Sequence, residues 1–358
     1  MRRTVGKGRE ATIGAALVLC SLLLCFAALE AAARVLAQRA SLWRFPNYIT
    51  AYRTALGSGV PTQYDARLGW VPRANFKGTD HQEAVMYTAD ALSLRQHNYD
   101  RPPPPADDAI LAVGDSYTEG GEVEDNASWP AHLERLTKRR VINGGVGGYG
   151  LDQIVLRAED LVARLKPATL LVGFIADDVG RAELTRRSGA AKPYFAIENG
   201  ALALRNVPVP PPEAARLDLV RRVLGYSFLI DLVMRRLDLL DYWYAGVTLE
   251  HRAHRDGERV ACLLMARLAA LPTRTVLVAQ YTPGAWRDEA DRREQRRLVA
   301  HVAGCAKAAK LDVLDTFEAI ERAVVKDGVA PYYINWHMND AGNALTATLI
   351  ARHLTAPR

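Results

Sequence analysis

The sequence predicts an α/β protein: a three-layer α/β/α sandwich with a central parallel sheet, an N-terminal transmembrane helix and an inserted cap region. From residue 108 onward, short apolar runs alternate with helical patterns, and this alternation is typical of a parallel sheet that is covered on both faces. Residues 11–29 carry no charge and are about long enough to cross a bilayer as a helix. The alternation stops between about residues 180 and 253, which indicates an insertion.

The composition favours a folded chain and excludes one class of partner. The chain has 358 residues, of which 49% are hydrophobic and 24% charged, so it can bury a core and is not globally disordered. Its net charge is +6, and the first ten residues supply +3 of it, four basic residues against one acidic. The remainder has no Lys/Arg block with interleaved aromatic residues, so we expect no nucleic-acid partner.

The N-terminal region predicts a membrane anchor. A basic segment before an apolar span stays in the cytoplasm. We therefore expect a cytoplasmic tail at 1–10 and a transmembrane signal anchor at 11–33. This single-pass topology would place the remaining chain in the periplasm or outside the cell, anchored in a bacterial inner membrane. A cleaved signal peptide is the alternative, with Ala31, Ala32 and Ala33 as a small-residue cleavage site.

An N-terminal extension is expected at 34–105, closed by a stiff proline-rich stretch at 101–105. The main domain then covers 106–358. Its predicted strands are 110–113, 140–143, 169–175, 275–281 and 311–314, and its predicted helices are 129–138, 152–165, 288–309 and 341–354.

The insertion at about 180–253 contains two patterns. Residues 194–197 and 201–204 flank Asn199-Gly200, which is a hairpin signal. Residues 217–240 then predict one helix with an apolar face. We expect that face to pack on the core. A membrane-surface helix is the alternative, because four arginines accompany it: Arg221, Arg222, Arg235 and Arg236.

Two cysteines of the main domain fall in helical patterns. Cys262 and Cys305 could pair in an oxidising compartment, but two buried thiols are the favoured interpretation. No Cys/His spacing resembles a zinc site. We expect neither a metal nor an organic cofactor.

Candidate chemistry begins at Ser116. It follows Gly114 and Asp115 directly after the strand at 110–113 and precedes helical sequence. A serine between a buried strand and a helix can be exposed as a nucleophile, with its backbone N–H facing a developing anion. Such a serine needs a base and an oxyanion hole.

Three further stretches supply candidates for those roles. Glycines at 144–150 follow a strand and can expose backbone N–H donors. Asp177 and Asp178 end a buried apolar run, at the sheet edge where α/β proteins place their sites, although a solvated loop or helix cap would explain them equally well. His337 lies in a polar loop before the last helix and is the candidate base.

These blocks resemble the SGNH (GDSL-type) hydrolase superfamily over roughly 108–358, less the insertion. The resemblance implies a flavodoxin-like sandwich, Ser116 as nucleophile, His337 as base, and Ser116 and Gly148 N–H groups in the oxyanion hole. The membrane segment and the stretch from 68 to 95 resemble membrane-anchored envelope members. That implies an esterase or acyl (acetyl) transferase acting on an O-acylated envelope glycan or another ester.

Two positions depart from the family pattern. Asp177 stands where the family has an oxyanion-hole asparagine, and an ionised carboxylate cannot donate a hydrogen bond. Asn335 and Ile334 stand where the family has the aspartate before the histidine. Asn335 can orient the imidazole but cannot balance its charge, so one hypothesis is that Asp177 or Asp178 reaches His337.

Two alternative functions stay open at this point. One is a non-catalytic carbohydrate-binding or scaffold relative in an envelope polysaccharide system, which the two departures favour. The other is a lipid esterase whose helix at 217–240 contacts the bilayer.

Overall fold

The structure is a computed structural model that describes residues 4–36, 61–80, 85–97, 108–212, 217–244, 246 and 249–356. The proline-rich stretch at 101–105 and the first three residues of the basic tail lie outside this range. The chain divides into two compact units. A helical unit comprises Met1–Ala55 and Glu213–Thr248, and a larger α/β unit comprises Leu56–Pro212 and Leu249–Arg358.

The helices are α1 (Thr4–Leu36), α2 (Ser116–Glu119), α3 (Trp129–Thr137), α4 (Leu151–Leu165), α5 (Asp177–Arg181), α6 (Leu219–Leu224), α7 (Phe228–Arg236), α8 (Leu240–Trp243), α9 (Gly257–Ala269), α10 (Gly284–Arg287), α11 (Glu289–Ala308), α12 (Phe317–Asp327) and α13 (Asp340–Thr355). The strands are β1 (Thr62–Asp65), β2 (Gly69–Pro72), β3 (Lys77–Asp80), β4 (Val85–Thr88), β5 (Ile110–Val113), β6 (Val141–Asn143), β7 (Thr169–Phe174), β8 (Leu184–Arg187), β9 (Ala190–Ala191), β10 (Tyr194–Glu198), β11 (Ala201–Arg205), β12 (His251–Arg252), β13 (Arg274–Ala279), β14 (Asp312–Asp315), β15 (Tyr333–Ile334) and β16 (His337–Met338).

The core of the α/β unit is a five-stranded parallel sheet with the order β14-β13-β7-β5-β6. This confirms the predicted fold class, and the five predicted strands and four predicted helices match within about two residues at each end. Helix α9 was predicted only as a helical pattern around Cys262, without bounds, and α12 was not predicted.

Both faces of the sheet are covered. Alternate strand residues Leu111, Leu170 and Leu277 pack into one large apolar cluster, which also takes in α4, α9 and α11. Their neighbours Ile110, Leu171 and others pack into a second cluster with α3 and α13. This alternation is what a strand with side chains on opposite faces requires, and it gives the three-layer arrangement.

The region before the sheet is part of the α/β unit. It forms two antiparallel hairpins, β1–β2 and β3–β4. Arg95 continues this region, pairs in an isolated bridge with Asn143 and is fully buried. These residues therefore lie against the end of the sheet where β5 and β6 finish.

The predicted insertion is divided between the two units. The hairpin β10–β11 forms as predicted, with residues 199 and 200 between its strands, and belongs to the α/β unit. The helix predicted over 217–240 is wrong in two respects. Ser227 breaks it by capping α7 through Ile230 N–H, which separates α6 from α7. Of its predicted apolar face only Phe228 is buried.

One helix of the described residues is long and apolar enough to cross a membrane. It extends over Arg9–Leu36, with a mean hydropathy of 2.5 in its most apolar window. A signal sequence near the N-terminus would satisfy the same criterion, so the helix is a candidate span.

Cys262 and Cys305 form a disulfide that joins α9 to α11, which corrects the interpretation as two buried thiols. The two helices pack side by side, and the Cα atoms lie 5.0 Å apart, within the range that a disulfide needs. His301 lies beside both sulfurs.

Candidate active site

Ser116 begins α2 at the carboxyl end of β5. Asp115 caps this short helix by accepting a hydrogen bond from Tyr117 N–H, and its other oxygen accepts one from Arg181. Asp115 is completely buried. The Ser116 side chain is therefore fixed at the sheet edge by a carboxylate that is not itself presented to a substrate.

Glycines let α2 sit deep against the sheet. A methyl group on Gly114 would lie 2.1 Å from the Thr118 hydroxyl oxygen, and one on Gly145 would lie 2.2 Å from the Glu119 backbone nitrogen. Neither distance is possible for a real Cβ contact, so both positions require glycine. The glycine-rich loop consequently approaches Ser116, whose Cβ lies 3.9 Å from a methyl group placed on Gly147.

His337 begins the short strand β16, directly after the β15–β16 loop, and faces Ser116. Its Nε2 lies 2.9 Å from Ser116 Oγ. Tyr117 supports this loop: its hydroxyl donates to the Trp336 carbonyl oxygen at 2.6 Å, and its ring lies 5.5 Å from the imidazole, centroid to centroid. Burial raises the pKa of Tyr117 well above its usual range, so the hydroxyl keeps the proton that it donates.

Glu122 is the acidic partner of His337, and the sequence patterns did not reveal it. Its Oε2 lies 2.8 Å from His337 Nδ1. A carboxylate only accepts, so Nδ1 carries the hydrogen and Nε2 is left to accept from the Ser116 hydroxyl. The three side chains form the hydrogen-bonded order serine, histidine, acid that activates a serine in hydrolases.

The Glu122 loop is unusual in its backbone. Gly120 has φ +95° and Glu122 has φ +63°, a region that non-glycine residues rarely adopt. A methyl group on Gly121 would lie 3.2 Å from three atoms of the His337 ring. The turn therefore brings the Glu122 carboxylate from the end of α2 to the far side of the imidazole.

Arg95 holds this turn from the inside. Its guanidinium donates to the backbone oxygens of Glu119 at 3.0 Å, Gly120 at 2.5 Å and Val123 at 2.6 Å, and to the Asp125 carboxylate at 3.1 Å. Burial raises the pKa of Asp125, and the Arg95 charge opposes that rise. A residue of the N-terminal extension thus fixes the loop that carries Glu122.

The hypothesis that Asp177 or Asp178 reaches His337 is wrong, because Glu122 occupies that place. Asp178 is completely buried and accepts from Ile175 N–H at 3.0 Å and from Arg181 at 2.7 Å. Burial, followed by the charge of Asp115, raises its pKa well above the usual range. Asp177 instead has a largely exposed side chain 3.6 Å from Arg181.

Asn335 does not orient the imidazole directly. Its amide nitrogen donates to Glu122 Oε1 at 2.5 Å. Asn335 therefore positions the Glu122 carboxylate, whose other oxygen accepts the hydrogen bond from the imidazole. Its backbone has φ +47°, which asparagine tolerates better than most residues.

Gly148 has φ +78° in the glycine-rich loop. The N–H of Gly147 donates to Glu119 Oε2 at 2.8 Å. The N–H groups of Ser116 and Gly148 have no acceptor among the described residues, so both are available to a ligand. Backbone N–H donors of this kind are what an oxyanion hole requires.

The family of the chain follows from a comparison with family models. A model of the GDSL-like lipase/acylhydrolase family matches residues 112–345, which include Ser116, Glu122, Gly148 and His337. The chain belongs to this family. It is an ester-hydrolysing enzyme of the SGNH/GDSL type, so the non-catalytic scaffold function is set aside.

Among solved structures, the chain is similar to an acetylxylan esterase from Geobacillus stearothermophilus, with 14% identity and a TM-score of 0.44 over 72% of this chain and 98% of that one. It is also similar to an alpha/beta hydrolase enzyme from the metagenome of Lake Arreo, Spain, with 15% identity and a TM-score of 0.43 over 70% and 97% of the respective chains. The comparison with curated proteins found no match.

Two further side chains border the Gly148 end of the site in this GDSL-like enzyme. A methyl group on Gly148 would lie 3.3 Å from Arg187 Nε and 3.7 Å from Trp70 Cζ2. Trp70 donates through its indole N–H to the Gly147 carbonyl at 2.9 Å. Burial, then the neighbouring Arg181, lowers the pKa of Arg187. A guanidinium and an indole therefore flank the free Gly148 donor.

Proposed function

We propose that this GDSL-like enzyme is a serine esterase that removes acyl groups, most simply acetyl groups, from an O-acylated glycan of the cell envelope. The observation that carries the proposal is the continuous chain from Ser116 Oγ through His337 to Glu122, with hydrogen-bond lengths of 2.9 and 2.8 Å.

In this mechanism Ser116 Oγ attacks the ester carbonyl carbon while its proton passes to His337 Nε2. The Glu122 carboxylate stabilises the imidazolium that forms. The tetrahedral intermediate collapses, the C–O bond to the alcohol breaks, and His337 returns the proton to the leaving oxygen. Water then attacks the acyl-serine with His337 as base, which releases the acid and restores Ser116. A sugar hydroxyl in place of water would give transfer.

The oxyanion would accept hydrogen bonds from the Ser116 and Gly148 N–H groups. Asp177 does not need to enter the hole, because its side chain points towards solvent and Arg181. A site without the family's asparagine donor loses one stabilising interaction, and such a loss typically costs about 10²–10³ in rate. We therefore infer an active esterase whose kcat is lower than that of family members with the asparagine.

Two observations support a sugar-bearing substrate. The Trp336 side chain is 70% exposed directly before His337, and an exposed indole is a stacking surface for the apolar face of a pyranose ring. Arg187 borders the site at Gly148, and its guanidinium can donate to hydroxyl or carboxylate substituents of a sugar.

Two observations support an envelope location. The candidate span α1 would anchor the enzyme with its α/β unit outside the cytoplasm. The disulfide between Cys262 and Cys305 is typical of proteins that fold in an oxidising compartment.

The test is acetate release by the purified full chain in detergent, from O-acetylated oligosaccharides, a chromogenic acetate ester and phospholipid vesicles. The proposal predicts release from the oligosaccharides that disappears in Ser116→Ala. Appearance of the acyl group on an added acceptor sugar would assign transfer. Cleavage confined to phospholipid would favour the lipid esterase and contradict the glycan assignment.

A further inference from the structure

The helical unit has its own internal contacts, which centre on the end of α1. Glu30 accepts from the backbone N–H groups of Phe228 and Leu229 and from the Ser227 hydroxyl, each at 2.8 Å. Arg34 donates to the Tyr226 carbonyl at 2.7 Å and pairs with Glu30 at 2.6 Å. The start of α7 is thereby fixed to the last turns of α1.

A second set of contacts folds the short helices of this unit together. Trp243 and Tyr244 are buried in a small cluster with partly buried apolar neighbours. The Tyr244 hydroxyl donates to the buried Asp231 carboxylate of α7. Arg221 of α6 donates to the Tyr242 carbonyl of α8 at 2.8 Å. Helices α6, α7 and α8 therefore form a small structured body rather than a loose loop.

This body leaves many large apolar side chains uncovered. On α6 they recur at spacings of one, three and one residues and share a single face. On α7 and in the turns after it they recur at similar spacing. The exposed set is Leu219, Val220, Val223, Leu224, Tyr226, Leu232, Val233, Leu237, Leu239 and Tyr242. An apolar surface of this extent marks a binding surface.

The position of the attachment indicates what covers the surface. The uncharged segment of α1 ends at Leu29, and Glu30 is the first charged residue after it. The anchored end of α7 therefore lies where a spanning helix would leave the hydrocarbon region. Tyrosine is enriched at that level of a bilayer, and the set contains Tyr226 and Tyr242. Basic side chains stand among the apolar ones, with Arg222 and Arg236 exposed, as in helices that lie on anionic membranes.

We propose that the helical unit lies on the outer surface of the membrane that α1 spans, with the exposed faces of α6 and α7 embedded among lipid headgroups and upper acyl chains. This inference rests on the membrane anchoring proposed above, but not on the identity of the substrate. The arginines contact lipid phosphates, and the buried Glu30–Arg34 pair links the spanning helix to the surface helices.

The test places one fluorophore at a time on the full chain in nanodiscs of phosphatidylcholine and phosphatidylglycerol, one chain per disc. Cys20 and Cys25 are replaced by alanine, and the remaining cysteines are joined in the disulfide. The dye nitrobenzoxadiazole is attached at Val223→Cys or, independently, at Leu219→Cys. Quenching by nitroxide-labelled phosphatidylcholine reports contact with lipid.

Two matched positions complete the design. Val18→Cys lies in the apolar part of α1, and Val325→Cys lies on α12 of the α/β unit, where the side chain is 79% exposed. The proposal predicts strong quenching at position 18. Quenching at 219 and 223 should be several-fold stronger than at 325, and the emission at 219 and 223 should be blue-shifted. Labelling of Ser116 by a fluorophosphonate in the same samples shows that each variant is folded.

The proposal is overturned if quenching at positions 219 and 223 is no greater than at 325 while quenching at 18 is retained. The membrane anchor would then still be supported. A blue-shifted emission without lipid quenching would also overturn it, because a protein surface would then cover these helices. Absence of quenching at 18 would remove the anchor and this inference together. None of these outcomes affects the esterase assignment, which Ser116→Ala tests separately.

Discussion

Glu122 accepts a hydrogen bond from His337 Nδ1 at 2.8 Å, although 215 residues separate the two in the chain. The acid lies six residues after Ser116, on the same turn that ends α2, instead of just before the histidine. The site is therefore built from one short segment that supplies serine and acid and one loop that supplies the base. Asn335, at the position where the family has its aspartate, now supports the acid from outside.

Glu122→Gln should lower kcat on a chromogenic acetate ester by about 10³–10⁴, because an amide cannot balance the imidazolium charge and favours the wrong imidazole tautomer. Stopped or continuous assays at pH 7.5 measure this fall in kcat. Asp178→Asn is the matched acid in the same region and should not produce such a loss in kcat, since Asp178 bonds Arg181 and Ile175 N–H. Equal losses in both variants would contradict the assignment.

Asn335→Ala should have a much smaller effect than Glu122→Gln. It removes one hydrogen bond to the acid, worth about 1.5–3 kcal/mol when a charged group accepts it, so kcat should fall about 10- to 150-fold. Asn335→Asp should lower kcat more than Asn335→Ala, because it places a second carboxylate 2.5 Å from Glu122 Oε1. An Asn335→Ala loss as large as that of Glu122→Gln would mean that Asn335 acts directly on His337.

Arg95→Lys should reduce kcat about 100-fold with little change in KM, because a displacement of about 1 Å in a supporting group can cost this much. Lysine cannot reproduce the fork of contacts to Glu119, Gly120 and Val123. Arg267→Lys is the control: Arg267 makes a two-bond ion pair with Glu159 on helices behind the sheet. A purely structural role for Arg95 would lower the melting temperature and leave the kcat of the folded fraction unchanged.

Trp336→Ala should raise KM for O-acetylated oligosaccharides about 2- to 10-fold, the size expected for losing one aromatic stacking contact of about 0.5–1.5 kcal/mol. Its KM for a small chromogenic acetate should stay the same, because that ester has no sugar ring to stack. Trp336→Tyr should restore most of the oligosaccharide affinity. If KM changes in parallel for both substrates, Trp336 positions His337 and does not bind the sugar.

His97 predicts an acid-dependent loss of stability. Burial lowers its pKa from 6.5 to about 4, and its Nε2 lies 2.8 Å from the Val141 carbonyl oxygen. Between these values the unfolded chain takes up a proton that the folded chain does not, so stability falls as the pH falls. One proton over that interval amounts to about 3 kcal/mol at pH 4.

Urea unfolding of the wild type and His97→Gln in detergent, at pH 7.5 and pH 4.5, measures that loss. The wild type should lose more stability than the variant over this interval, whatever the other groups contribute to both. Parallel pH dependences would show that His97 takes up its proton as readily in the folded chain as in the unfolded chain.

The sheet and its covering helices were predictable because their apolar residues recur at strand and helix periods and are bounded by turn residues. Ser116 and Gly148 were proposed as site residues because they follow predicted strands, and His337 because it lies in a polar stretch before the last helix. Glu122 was not, since nothing local distinguishes a glutamate after two glycines from a solvated turn. Its role depends on a positive φ and on Arg95, which only the folded chain brings together.

The same limit applies to the helical unit. An apolar stripe over 217–240 is equally consistent with a core face and with a membrane face, because periodicity reports an apolar surface and not what covers it. Likewise, Cys262 and Cys305 fall in two helical patterns 43 residues apart, and only the packing of α9 on α11 brings the sulfurs together.

The central claim is that Ser116 is a nucleophile activated by His337 and Glu122. The most direct measurement is the second-order rate at which a fluorophosphonate labels the full chain, with the modified residue identified by mass spectrometry of peptides. The account predicts a single adduct on Ser116, none in Ser116→Ala, and labelling slowed by at least about 10²-fold in Glu122→Gln and in His337→Ala. Labelling at another residue, or equal rates in the wild type and Glu122→Gln, would contradict it.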